Sequence, residues 1–254
     1  MQSSNPVLTR LGEAASHERA GGYGPLTTDR MMSLDDVVVR TVGLVLLTAV
    51  SAALSWNLLT DGPVVALAAI GSVIAGLVLG LVISFARITN PLVIGAYAVI
   101  EGVLLGMVSR YYEHFYGGIV IQAVIGTLGV FVGMAMLYKA RVLRATPKFT
   151  RFVVGAMIGV AVMGLVNWIV AMVSGHSLLV QYSATGQVGP IPIIFSLVAI
   201  GVGALTFILD FDQVEQGVRY GLPEKYSWYC AFGLLVGLIF LYWQILRLLS
   251  YLRR

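Results

Sequence analysis

Charged residues are scarce in this chain. Only 11% of its 254 residues are Asp, Glu, Lys or Arg, whereas 58% are hydrophobic. A soluble globular domain carries roughly 25% charged residues, so the composition predicts an integral membrane protein whose main partner is the lipid bilayer. The formal net charge of +4 does not indicate nucleic-acid binding, because Lys and Arg in a membrane protein mainly report which side of the bilayer each loop occupies.

Cysteine, histidine and catalytic motifs are also scarce or missing. The single cysteine, Cys230, excludes an internal disulfide, and we interpret it as a small buried hydrophobe. Solvation in the tail and in predicted outer turns is the simplest explanation for the three histidines, His17, His114 and His176. The chain lacks GxGxxG, Walker and HExxH motifs and any supported Ser/His/Asp arrangement. We therefore expect neither an enzyme nor a resident cofactor.

Long apolar runs dominate what is present. None alternates with the period of two that barrel strands show, and each has about the length of a membrane-spanning helix. The chain is therefore predicted to be all-α, an integral membrane seven-helix bundle formed by residues 37–254. An alternative with one re-entrant run and six full spans remains open. The seven runs lie near residues 37–59, 64–85, 92–109, 118–138, 152–173, 191–211 and 227–248.

Residues 1–36 precede the first apolar run and are mostly polar. They include several charges and a Gly- and Pro-bearing stretch at residues 21–25, which is typical of a flexible tail. Because this segment shows no apolar face, deletion of residues 1–34 is expected to leave the bundle folded.

Glycines spaced four residues apart occur in five of the seven runs. This spacing lets helix backbones approach closely, and close packing largely holds membrane bundles together. Because so many runs share the pattern, we expect it to serve packing within the chain rather than oligomerisation. The pairs are Gly76/Gly80, Gly102/Gly106, Gly129/Gly133, Gly155/Gly159 and Gly233/Gly237.

Acidic residues inside apolar runs are the candidate functional residues. Glu101 has apolar neighbours on both sides of the third run, and Asp210, Asp212 and Glu215 end the sixth run. Acids at such positions usually serve ion pathways or proton relays, or bind a specific partner. Asp210 and Asp212 are two residues apart and point about 200° apart on an ideal helix. An ion pair between Glu215 and Arg219, four residues apart on one helix, would explain the presence of Glu215. Such pairing explains the deeper Asp210 less well.

Two segments resemble the Bax inhibitor motif family, and its bacterial YccA-like branch most closely. They are the Phe-Asp-Gln-Val-Glu-Gln-Gly stretch at residues 211–217 with the run that follows it, and the Glu101-Gly102 pair within residues 97–106. The resemblance covers the chain from about Val37 onward and leaves the tail outside it. It implies six helices around a central hydrophobic helix, in a bacterial inner membrane or plasma membrane.

The resemblance also implies a pH-sensitive calcium leak, gated by two aspartates on the last two helices and a linked basic residue. Asp212 or Asp210 matches the first aspartate, whereas the position aligned with the second is near Gln244, in a run without acids. Arg110 and Arg247 are candidates for the basic residue.

The resulting expectation is a channel-like protein that leaks Ca²⁺ or another cation, protons included. Asp210 and Asp212 would bind the ion and form the gate, with Glu101 as an acid of the pathway, because carboxylate oxygens suit Ca²⁺. The alternative is a non-transporting scaffold that regulates partner proteins, such as a membrane protease.

Basic residues predict a cytoplasmic N-terminus. Before the last run, twelve Lys and Arg fall on the side of the tail, and only Arg110 falls on the other side, which is the asymmetry of cytoplasmic loops. Cysteines introduced into the tail should therefore resist a membrane-impermeant thiol reagent added to intact cells. Rapid labelling there would contradict this orientation, and a cysteine placed after Arg254 would distinguish six spans from seven.

Overall fold

Seven long helices form the described part of the chain, as the sequence predicts. The computed structural model describes residues 30–58, 62–174 and 189–253, in which each helix is long and apolar enough to cross a membrane. The helix ends lie within a few residues of the predicted ones, except for extensions of α3, α5, α6 and α7. The helices are α1 (Leu34–Leu58), α2 (Pro63–Ala86), α3 (Pro91–Phe115), α4 (Ile119–Lys139), α5 (Pro147–Ser174), α6 (Pro190–Arg219) and α7 (Tyr226–Leu252).

The C-terminal end of α3 lies beyond the end that hydropathy predicts. The apolar run ends at Ser109, but the helix continues to Phe115, and the chain turns at Gly118, whose φ is +79°. The Glu113 carboxylate accepts hydrogen bonds from the backbone N–H groups of Gly118, at 2.5 Å, and Val120, at 3.1 Å. An acid at this position satisfies free N–H groups at the start of α4 and opposes its positive dipole end.

The last helix, α7, occupies the centre of the bundle. It packs against α1, α3, α4 and α6, whereas α2 packs on α3 and α5 on α6 at the periphery of the described structure. Buried residues lie around most of the α7 circumference, from Ser227 to Ser250. The hydrophobic α7 is therefore central as predicted, but four of the other helices pack directly on it rather than six.

Glycines allow α1 and α3 to approach closely. A Cβ atom added at Gly102 would lie 2.5 Å from the Thr48 carbonyl oxygen, and one added at Gly106 would lie 2.2 Å from that of Ala52. Two serines of α1 use this proximity to donate hydrogen bonds across the interface. Ser51 donates to the Val99 carbonyl oxygen and Ser55 to that of Val103, both at 3.0 Å.

The other glycines differ in whether a side chain of a neighbouring helix packs against them. Gly76 and Gly80 receive side chains of α3, and Gly237 receives an aromatic ring of α6. Within the described ranges, no atom lies within 4 Å of a Cβ added at the glycines of the α4 and α5 pairs, which are Gly129, Gly133, Gly155 and Gly159. The prediction of packing within the chain therefore holds for the pairs of α2 and α3 and for Gly237 of the α7 pair, whereas Gly233 and the pairs of α4 and α5 have no such contact among the described residues.

Residues 30–33 form a strap across the turn between α6 and α7. Met32 donates its backbone N–H to the Leu222 carbonyl oxygen at 2.8 Å, and Glu224 donates its own to the Arg30 carbonyl oxygen at 2.8 Å. The Met32 side chain is only 2% exposed and lies against Gly217. The expectation that residues 1–34 contribute no apolar contact is therefore wrong for this part. The rest of the predicted tail, residues 1–29, lies outside the described residues.

The close approach of α1 and α3 predicts a strong effect of one methyl group. Gly106→Ala should lower the free energy of unfolding by about 1–3 kcal/mol, the usual cost of overpacking, because its Cβ would meet the α1 backbone. Gly133→Ala is the matched control, since the added methyl group meets nothing within 4 Å. Thermal unfolding of detergent-solubilised protein measures both, and equal melting temperatures would contradict this account of the interface.

The strap predicts that substitutions of the adjacent residues Met31 and Met32 differ in their effect on stability. Met32→Ala removes a buried side chain and should cost about 2–5 kcal/mol, whereas Met31, which is 65% exposed, should tolerate the same change. The measurement is again thermal unfolding in detergent. Similar melting temperatures for the two variants would show that the strap adds little stability.

Candidate functional site

The carboxylates near the end of α6 lie at one end of the bundle. This carboxylate end is formed by the last turns of α4 and α6 and the first turns of α1 and α7. α6 continues as an uninterrupted α-helix through Asp210 and Asp212 to Arg219. Residues two apart on a regular helix face nearly opposite directions. The structure therefore does not bring Asp210 and Asp212 together.

Asp210 lies on the side of α6 that packs against α7. It shares this side with the buried residues Gly203, Phe207 and Gly217, because positions seven apart on a helix differ in direction by only about 20°. On α7, the Cys230 thiol is close enough to interact electrostatically with the Asp210 carboxylate. Asp210 therefore faces the α6–α7 seam, the name used here for the interface of these two helices.

The Asp210 carboxylate has no partner in the part of the chain that the structure describes. Within the described ranges, no side chain forms a hydrogen bond or an ion pair with it. Asp210 is partly buried. A carboxylate in such surroundings is costly unless water, a proton or a cation compensates it.

Asp212 and Glu215 belong to a separate hydrogen-bonded group. Asp212 accepts a hydrogen bond from the Gln216 side chain, and Glu215 accepts hydrogen bonds from the Tyr138 hydroxyl of α4 and from Arg219. The Glu215–Arg219 ion pair is the one that the i, i+4 spacing predicts. This group joins the ends of α4 and α6, and its acids already have partners.

Glu101 lies on the far side of α3 from α6. A Cβ atom added at Gly76 of α2 would lie 2.6 Å from Glu101 Oε1, and one added at Gly80 would lie 3.2 Å from the Tyr97 ring. The Tyr97 hydroxyl interacts with the Glu101 carboxylate. The glycines of α2 thus form a groove for two side chains of α3. The structure does not bring Glu101 to the aspartates.

Arg110 and Arg247 lie toward the other end of the bundle. Arg110 donates a hydrogen bond to the Trp56 carbonyl oxygen at 2.6 Å, near the end of α1, and Arg247 donates one to the Tyr251 hydroxyl at 2.6 Å. Arg247 is seventeen residues beyond Cys230 on α7, which is about 25 Å along the helix. Neither arginine reaches the carboxylate end, so neither is the partner of Asp210 or Asp212 in this structure.

Sequence reasoning missed Arg40, the basic residue of the first span. Its guanidinium donates to the Glu224 carbonyl oxygen at 2.6 Å, forms an ion pair with the Glu224 carboxylate and lies 5.1 Å from the centre of the Trp228 ring. Its side chain is 15% exposed. The available signal was its position inside an apolar run, where a basic residue needs a partner.

Gln244 lies far from the two aspartates. The Phe240 ring packs on Gly203 and the Phe207 ring packs on Gly237, which fixes the antiparallel register of α6 and α7. In this register Gln244 is level with residue 200, about 15 Å along the seam from Asp210. The structure therefore gives Asp210 no partner at the position where the resemblance suggested the second acid.

The described carboxylates do not form a cluster that could hold a calcium ion. Among the residues that the structure describes, no three His, Cys, Asp or Glu side chains are grouped so that they could hold a metal. Asp210 and Asp212, the tentative ligands, face apart.

The comparisons with known proteins agree with the fold. No curated protein matches the chain at a significant level. A family model described as Bax inhibitor 1 like matches residues 5–254. The match includes most of the N-terminal segment that we placed outside the resemblance. Because it covers nearly the whole chain, the protein belongs to the Bax inhibitor 1 like family.

Proposed function

We propose that the protein is a pH-sensitive cation leak that passes Ca²⁺ across the membrane, with Asp210 as its principal acid. The observation that carries this proposal is the Asp210 carboxylate, which is partly buried on the side of α6 that faces the α6–α7 seam and has no partner among the described residues. Membership of the family supports the same class of function, and no sequence motif supports an enzyme.

The chemistry of Asp210 suits a passing cation. An unpaired carboxylate in surroundings of low dielectric attracts positive charge more strongly than it would in water. Because no basic side chain neutralises it among the described residues, a cation or a proton has to do so. Cation entry and protonation would then compete for the same group, which makes the leak pH-sensitive.

We narrow the proposed site to Asp210. Asp212 and Glu215 already accept hydrogen bonds from Gln216, Tyr138 and Arg219, so we assign them to the stability of the helix end. Glu101 is held between α2 and α3, and its role as an acid of the pathway remains a proposal. The YccA-like branch, a bacterial membrane and a cytoplasmic N-terminus also remain predictions.

Removal of one charge tests the proposal. In proteoliposomes that hold a Ca²⁺ indicator, Asp210→Asn should lower the Ca²⁺ flux about tenfold, since focused charge raises local cation concentrations by at least that factor. Protonation and amide substitution both remove the charge. The wild type at low pH should therefore approach the flux of Asp210→Asn, whose own flux should change little with pH.

Asp212→Asn is the matched control. It makes the same substitution two positions away, at an aspartate whose side chain already accepts a hydrogen bond from Gln216. It should keep the flux and pH response of the wild type. An equal loss in both variants would contradict the assignment to Asp210 alone. No Ca²⁺ flux in correctly folded wild type would contradict the leak and favour a scaffold for partner proteins.

A further inference from the structure

Unpartnered polar atoms occur at a second place along the α6–α7 seam. Ser196 of α6 is 0% exposed, and its hydroxyl has no hydrogen-bond partner in the described part of the chain. The side-chain oxygen Oε1 of Gln244 on α7 is also buried and without a partner. Buried polar atoms are almost always satisfied, so two exceptions on neighbouring helices require an explanation.

Both side chains are on the helix faces that meet at the seam. Ser196 lies seven residues before Gly203 and fourteen before Asp210, and Gln244 lies seven residues after Gly237 and fourteen after Cys230. Positions seven apart drift by only about 20° on a helix. Ser196 and Asp210 therefore share the α7-facing side of α6, and Gln244 and Cys230 share the α6-facing side of α7.

The register brings Ser196 and Gln244 into the same half of the seam. The packing of Phe240 on Gly203 and of Phe207 on Gly237 places residue 244 level with residue 200, one helical turn from Ser196. Asp210 lies about 21 Å from Ser196 along α6, at roughly 1.5 Å per residue. The seam thus has unpartnered oxygens in both halves and two aromatic rings between them.

A contribution to stability does not explain why these two oxygens are buried without a partner. A buried hydroxyl or amide oxygen without a partner destabilises the folded state relative to an apolar group of the same shape. Burial of both groups is explained if their partner is a ligand that the protein itself does not supply. Two uncharged oxygens facing one seam suit a hydrated cation, because they replace part of its water shell without holding it tightly.

We propose that Ser196 Oγ and Gln244 Oε1 form a second, uncharged station for the passing cation and its water, in the half of the α6–α7 seam away from Asp210. This inference rests on the proposed cation leak and extends it from one acid to a route along the seam. Asp210 supplies the charge in one half, and the neutral pair supplies oxygen ligands in the other.

The test uses substitutions that keep shape and remove the oxygens. Ser196→Ala and Gln244→Leu should each lower Ca²⁺ flux into proteoliposomes about fivefold, the effect of losing one ordinary hydrogen bond to the ion's water shell. Neither should lower the melting temperature, because the two oxygens have no hydrogen-bond partner among the described residues. Ser250→Ala is the matched control and should keep wild-type flux, since the Ser250 hydroxyl donates to the Arg247 carbonyl oxygen of its own helix at 2.7 Å.

The same assay with Asp210→Asn separates the two proposals. If Asp210→Asn lowers the flux while Ser196→Ala and Gln244→Leu keep it, the second station is wrong and the leak stands. If the wild type passes no Ca²⁺, or if Asp210→Asn has no effect, the proposed function fails and the station fails with it. Loss of flux together with a lower melting temperature would show that the two side chains stabilise the fold, and this too would overturn the station.

Discussion

Close approach of helix backbones at glycines is the interaction on which this bundle depends. Lipid is as apolar as the helix surfaces, so burial of apolar side chains drives helix association in a membrane only weakly. Tight packing has to replace it, at Gly102 and Gly106 between α1 and α3 and at Gly203 and Gly237 between α6 and α7. Where the glycines are open, on α4 and α5, the helix faces have no packing partner in the described structure.

The same close packing positions the polar groups. The rings of Phe207 and Phe240 lie on glycines in the middle of the α6–α7 seam, which leaves Asp210 in one half and Ser196 and Gln244 in the other. An acid or amide at these positions is surrounded by helix rather than by lipid. The seam can therefore carry unpartnered oxygens that would be far more costly on a lipid-facing surface.

Much of the fold could be predicted from the sequence, because apolar runs of spanning length and turn residues act locally. The helix class, the number of helices and the central position of one helix follow from these signals and from the family resemblance. The partners of the acids did not follow, because they depend on which helix faces meet. Asp210 and Asp212 look equivalent in sequence, but only the register of α6 against α7 shows that one faces the seam. The Arg40–Glu224 ion pair joins residues 184 positions apart, and neither local pattern nor hydropathy reports such a pair.

The central position of α7 has a consequence for biogenesis. Chains are made and inserted from the N-terminus onward, so the helix that contacts α1, α3, α4 and α6 is the last of the seven to leave the ribosome. Until it arrives, the earlier helices lack the surface against which most of them pack, and Arg40 lacks Glu224 and Trp228. Assembly is therefore expected to be completed late, after synthesis of all seven helices, with the partly inserted bundle dependent on lipid or the insertion machinery in the meantime.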